Sequence, residues 1–417
     1  MNRLSQRSRL ITYMIFSLWI IIGVAYYRNM NLTLILPMFV LVLVHRIFSK
    51  GLIIRLNKNS VYLVLFAVYY IFVSGAFFRS SASFTNLVIR YVMLPIIAFY
   101  VASLLVVVNG NKSKLFFVQC LKSFVMFFAL FGIYEWNVRH NPISSFISTG
   151  AAEWINRMNE FSHIVYYPSS FFTHYTYFAY VLLVGWLLGL SFPSKNKAID
   201  YLYKGAVLFA LIVSQSRMAW ITFIVIMVIY YLFFARKARL TWVIGTPIVA
   251  IALYVTGIVG RVVALVSTRF SRIFSMGFSD GSLGQRFGTL QNVSPYMAER
   301  PLKALIGGGY ASTVYDFLPK YSFFAGFQTT DSMLTTYLVE AGIIGSILLT
   351  VGLVIYLISL DTKEPFDRFI FLFLVMTLIE MFFFDFFANN ITLFLFYMVW
   401  GVMAARAGTK TERIGLQ

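Results

Sequence analysis

The sequence predicts an all-α polytopic membrane protein of about 12 transmembrane helices, and three observations lead there. Of 417 residues, 60% are hydrophobic and only 12% are charged, against roughly 25% charged in soluble domains. Mean hydropathy is +0.80. Apolar windows of about 20 residues, long enough to cross a bilayer, recur along the whole chain. Aromatics make up 18%, including 44 Phe, a composition suited to lipid-facing and interfacial positions. The single Cys120 lies within an apolar run, so no disulfide framework is available. His45, His140, His163 and His174 show no metal-ligand spacing, and neither metal nor cofactor is expected. A net charge of +19 could suggest nucleic acid, but in so apolar a chain its distribution along the sequence decides orientation instead.

The windows fall at 10–27, 31–48, 60–78, 87–108, 115–134, 173–190, 200–214, 218–235, 240–259, 332–360, 366–384 and 390–406. The first follows Arg3, Arg7 and Arg9 without a small-residue cleavage site, as in a retained signal anchor. The connections alternate in charge. HRIFSKGLIIRLNK (45–58), NGNKSK (109–114), PSKNK (193–197), ARKAR (235–239) and the tail RAGTKTER (406–413) form a basic set. The positive-inside rule places that set and both termini in the cytoplasm. The opposite side then carries two long segments, 135–172 and 260–331, and the whole of 1–417 reads as one integral membrane domain.

Arg217 interrupts this pattern, standing in SQSRMAW (214–220) between two apolar runs. Two readings are open: a cation snorkelling at the external interface, or part of a site. The segment 260–331 is itself basic, which external loops ordinarily are not. It holds Arg261, Arg269, Arg272, Arg286, Arg300, Lys303 and Lys320 against Asp280, Glu299, Asp316 and Asp331. In RVVALVSTRFSRIF (261–274), a wheel of ~100° per residue groups the three arginines within about 80°. Such a helix suits either an anionic membrane surface or a lipid diphosphate, whose oxygens a planar guanidinium grips in pairs.

Farther along, the Gly307–Gly309 run fits a loop turn or an anion-binding nest. Asp331 precedes an apolar helix and fits an N-cap or a catalytic carboxylate. On a continuous helix, Thr335, Leu338, Gly342 and Gly345 would share its face, with Glu340 about 180° away. Arg90 enters the fourth span as an intramembrane charge, either a phosphate contact or a partner of Glu380 or Asp385.

Taken in order, SRMAW (216–220), GQRFGTL (284–290), the proline-led RPLKALIGGGY (300–310) and LVEAGIIG (338–345) resemble the O-antigen ligase and Wzy-type polysaccharide polymerase superfamily. The resemblance covers about 200–350 in motif detail and the whole chain in topology. It implies a metal-independent, inverting membrane glycosyltransferase of the GT-C-like kind, working at the outer face of the bacterial inner membrane. Undecaprenyl-diphosphate-linked glycans would be donor and acceptor, with a flippase and a chain-length regulator as partners. By motif position, Arg217 and Arg286 match arginines expected to bind the donor diphosphate, with Arg90, Arg261, Arg269 and Arg272 as further candidates. O-antigen ligases are expected to open the helix after the large loop with a histidine acting as general base. Asp331 stands there in this chain, and no His follows residue 174. That departure favours a polymerase, with Asp331 as base, over a ligase. A lipid-linked oligosaccharide transporter is the alternative from another class, although no repeat relates 1–200 to 201–417, as many transporters would show.

Overall fold

The structure, a computed structural model, describes residues 6–27, 35–48, 61–143, 166–172, 174–234, 284–324, 326, 329–385 and 389–405. The ninth apolar window, the segment 261–274 with Arg261, Arg269 and Arg272, for which the sequence predicts a helix, and most of 135–172 lie outside these residues.

Among the described residues every regular element is helical. The long helices are α1 (Gln6–Tyr27), α2 (Ile35–Phe48) and α3 (Val61–Ala76). Next, α4 (Ser81–Val88) runs through a π turn, Ile89–Met93, into α5 (Leu94–Asn109). After them come α6 (Asn111–Val138), α7 (Tyr175–Ser191), α8 (Lys197–Val213) and α9 (Arg217–Phe233). Two short helices, α10 (Val293–Glu299) and α11 (Pro301–Ile306), precede α12 (Met333–Glu340), α13 (Gly342–Ile358), α14 (Pro365–Phe383) and α15 (Asn390–Ala404). Eleven of the twelve predicted windows coincide with these helices. By length and apolarity together, 81–106 and 111–138 meet the demand of a bilayer crossing, and α3, α7, α9, α13 and α15 are shorter apolar helices.

Burial sorts the helices. α7 is apolar all round and buried along nearly its whole length, as is α15, the pattern of a central helix. α15 packs on α5, α1 and α14, and α7 on α6, α8 and α14. At the periphery, Phe72, Phe233 and Ile358 are 75%, 67% and 79% exposed. Apolar rings and chains presented outward on helices whose inner face is also apolar suit lipid, not water. Small residues set the closest contacts. A Cβ on Gly132 of α6 would meet the Phe178 ring at 2.3 Å, and one on Gly185 of α7 would meet Val125 at 2.2 Å, so each helix offers a notch for the other's side chain.

Three expectations change. The predicted tenth span is not a continuous helix: it breaks between α12 and α13, where Gly342 adopts φ +67°. The break cancels the wheel reading beyond residue 340. The N-cap of α12 is Ser332, whose hydroxyl accepts the Thr335 amide at 3.4 Å, and not Asp331. α6 also extends past the expected loop start at 135, which brings Glu135 inside a helix, fully buried.

Candidate active site

The turn between α8 and α9 answers the question posed by Arg217. Ser214 closes α8, Gln215 takes a left-handed conformation with φ 59°, and Ser216 is extended as N-cap. Arg217 is the first residue of α9 and only 8% exposed, so its guanidinium is enclosed by protein and does not snorkel. The turn is braced by a strap of residues 166–170. Gln215 Nε2 donates to the Tyr166 carbonyl at 2.7 Å. Glu135 of α6 accepts the Tyr166 hydroxyl at 2.8 Å and the Ser169 and Ser170 amides at 3.2 and 2.7 Å. A buried carboxylate fed by three donors is satisfied, which makes Glu135 a support for the strap. Sequence reasoning missed it. The available signal was a lone acid at the end of an apolar run.

Arg286 lies in a π turn, Gly284–Gly288, and is 8% exposed. Its Nε donates to the Asp331 carbonyl at 3.2 Å, so two motifs 45 residues apart meet. Gln285 holds the meeting in register. Its Nε2 donates to the Thr329 carbonyl at 2.9 Å while its Oε1 accepts the Phe324 amide at 3.2 Å. Gly288 completes the fit, since a Cβ there would overlap the Phe323 ring.

Asp331 itself is half-buried with φ 52°, a left-handed conformation that Asp tolerates better than most residues. With the cap role taken by Ser332, its carboxylate is released for other work. Burial pushes that carboxyl above the ordinary aspartate range, opposed by the Arg286 charge and the Thr329 hydroxyl. Glu380 of α14 also lies in the field of Arg286, beside Thr222 of α9. It is 4% exposed, and its Oε1 makes no hydrogen bond among the described residues. Thr222 is roughly one and a half helical turns from Arg217, which puts the Arg217 turn at this end of the bundle. His174, at the head of α7, is likewise within electrostatic reach of Arg286.

Arg90 belongs to a neighbouring cluster. Its Nε donates to Asn390 Oδ1 and its Nη1 to the Tyr310 hydroxyl, both at 3.0 Å. It does not pair with Glu380, one of its two expected partners. Asp385, the other, shares with Arg90 an influence on Tyr310. Behind Tyr310, Glu340 accepts the Tyr70 hydroxyl and, at 2.9 Å, the Ala311 amide.

The glycine run is fastened by its backbone: the Gly308 and Gly309 amides donate to the Val339 and Glu340 carbonyls at 3.0 and 2.9 Å. Those amides are committed to α12, so the anion-nest reading gives way to a loop clamped in place. Gly307 and Gly342 both have positive φ, and a Cβ on either would come within 2.3 Å of the other segment's backbone. The GGG and ExG motifs are thus two halves of one lock. Part of the expected basic excess is also consumed locally. Asp316 pairs with Arg79 and, at 2.8 and 3.5 Å, with Lys303 and Arg300.

Comparison with known proteins bears on the same stretch. No curated protein matches the chain. A family model described as O-antigen ligase matches residues 202–350, which contain the Arg217 turn, Arg286, the Gly307–Gly342 lock and Asp331. Over that segment, about a third of the chain, the protein is similar to the O-antigen ligase family.

Proposed function

We propose that the protein is a polymerase joining undecaprenyl-diphosphate-linked oligosaccharide repeat units at the outer face of the bacterial inner membrane, with both termini in the cytoplasm. The observation that carries this reading is the meeting of Arg286 with residue 331. It joins a buried cation to a carboxylate freed from capping. In the reaction, the acceptor sugar hydroxyl attacks the donor's anomeric carbon, forming the new C–O bond as the bond from that carbon to the phosphate oxygen breaks. The diphosphate leaves with the bonding pair, and Arg217 and Arg286 stabilise its charge in a water-poor site. The hydroxyl proton passes to Asp331. A single displacement inverts the anomeric centre, and the fixed guanidiniums fill the place a metal would otherwise take.

An acid at position 331, where ligases of the superfamily are expected to carry histidine, supports polymerase over ligase. The test is the glycan profile of a deletion strain. Single repeat units capping lipid A support the polymerase. Full-length polymer left on undecaprenyl diphosphate would assign a ligase instead.

A further inference from the structure

One group that neither the motifs nor the proposed mechanism uses is His174. It caps α7 with its ring: Nδ1 lies 3.2 Å from the Thr176 amide and 2.7 Å from the Thr176 hydroxyl. A backbone N–H can only donate, so Nδ1 is the acceptor and the neutral ring carries its proton on Nε2. Moving the proton to Nδ1 would abolish the cap.

The ring is also fixed in orientation. Tyr175 lies 4.3 Å from it between centroids, and Phe384 stacks at 6.0 Å and 18°. Nε2 has no hydrogen-bond acceptor among the described residues, and the side chain is partly exposed. A rigid N–H donor therefore stands in the field of Arg286 with no acceptor among the described residues. The partner that suits a donor and a cation together is an anion rich in acceptor oxygens.

We propose that His174 binds the donor diphosphate directly, its Nε2–H donating to a phosphate oxygen of the leaving group alongside Arg286. This rests on the diphosphate reading above and adds a neutral donor to it. One bond to a charged group is worth about tenfold in affinity or somewhat more.

The experiment measures binding of undecaprenyl diphosphate to the purified full-length protein as wild type, His174→Asn and Arg286→Ala. Asparagine can accept the Thr176 amide through Oδ1, so the cap survives, but nothing on it reaches the position of Nε2. We expect His174→Asn to bind about tenfold more weakly with an unchanged thermal midpoint, and Arg286→Ala to bind more weakly still. Wild-type affinity in the His174 variant beside weakened Arg286→Ala would overturn the role of His174 and leave the diphosphate site intact. Wild-type affinity in both would overturn the diphosphate reading itself. Wild-type protein with isotope-labelled histidine gives a readout that needs no variant to fold. Undecaprenyl diphosphate should shift the Nε2–H resonance of His174, and a proton found on Nδ1, or no shift at saturation, defeats the proposal.

Discussion

Two polar clusters built from the same residue types lie among the ends of these helices, and they differ in what their bonds face. Around Arg90, hydrogen bonds run from protein to protein. The guanidinium reaches Asn390 and Tyr310, and each oxygen of Glu340 receives a donor, one from Tyr70 and one from the Ala311 amide. Around Arg286, several polar atoms are left without a described protein partner or outside a cap. Glu380 Oε1 is buried without a hydrogen bond among the described residues, His174 Nε2 has no described acceptor, and Asp331 is held at positive φ with its carboxylate relieved of capping. Buried polar groups are normally paired, and exceptions concentrate at functional sites. The contrast sets the Arg286 cluster apart as the candidate site.

The sharpest way to break that contrast is to remove charge from each cluster. Arg286→Ala should reduce transfer in the purified enzyme to background with the fold intact. Arg286→Lys should recover little, because an ammonium lacks the planar fork. Wild-type chain lengths from both variants would return Arg286 to the scaffold.

Asp331→Asn should follow with a loss of roughly 10²-fold, since the amide cannot take a proton. α12 should be unaffected, because Ser332 and not residue 331 caps it. Burial raises the Asp331 carboxyl pKa and the base acts only when deprotonated. The rate should therefore rise with pH through a value above the ordinary aspartate range and fall below it. A pH–rate profile with the same acid limb in wild type and Asp331→Asn would remove Asp331 from the chemistry.

Changes in the scaffold should act on stability. Gly342→Ala forces a Cβ into the Gly307 backbone at positive φ and should cost about 2–4 kcal/mol. Glu340→Gln should cost about 1–2 kcal/mol by weakening one of two bonds. Thermal midpoints measure both. A Glu340→Gln enzyme that keeps its midpoint but loses turnover would move that carboxylate into the site.

The smallest effect concerns Asp316, whose burial is outweighed by Arg79 and Lys303, so that its carboxyl sits below the usual range. A depressed folded pKa stabilises above the unfolded value, and that contribution disappears as pH falls through the folded one. Asp316→Asn should flatten this acid-side loss in a melting series, and an unchanged series would show that the cluster adds nothing to the fold.

Much of this molecule was legible in one dimension. Eleven of the twelve hydrophobic windows fall on described helices, because lipid demands long apolar segments with internally satisfied backbones. The order of SRMAW, GQRFGTL, GGGY and LVEAGIIG marked the same stretch that the family model matches. Residue identity also singled out Arg217, Arg286 and Asp331, because charges are costly in an apolar chain and stand out against it. The roles were decided elsewhere. That Asp331 is free of capping depends on Ser332 taking the Thr335 amide, a choice of one residue that local propensity does not make. That Gly307 and Gly342 form a lock depends on two backbones meeting across 35 positions. Glu135, Glu380 and His174 carry no motif at all, and Gln285 sits inside GQRFGTL without standing out as a charge. Their significance lies in which donors and acceptors surround them, and those neighbours are assembled from helices far apart in sequence, so only the packed structure could supply them.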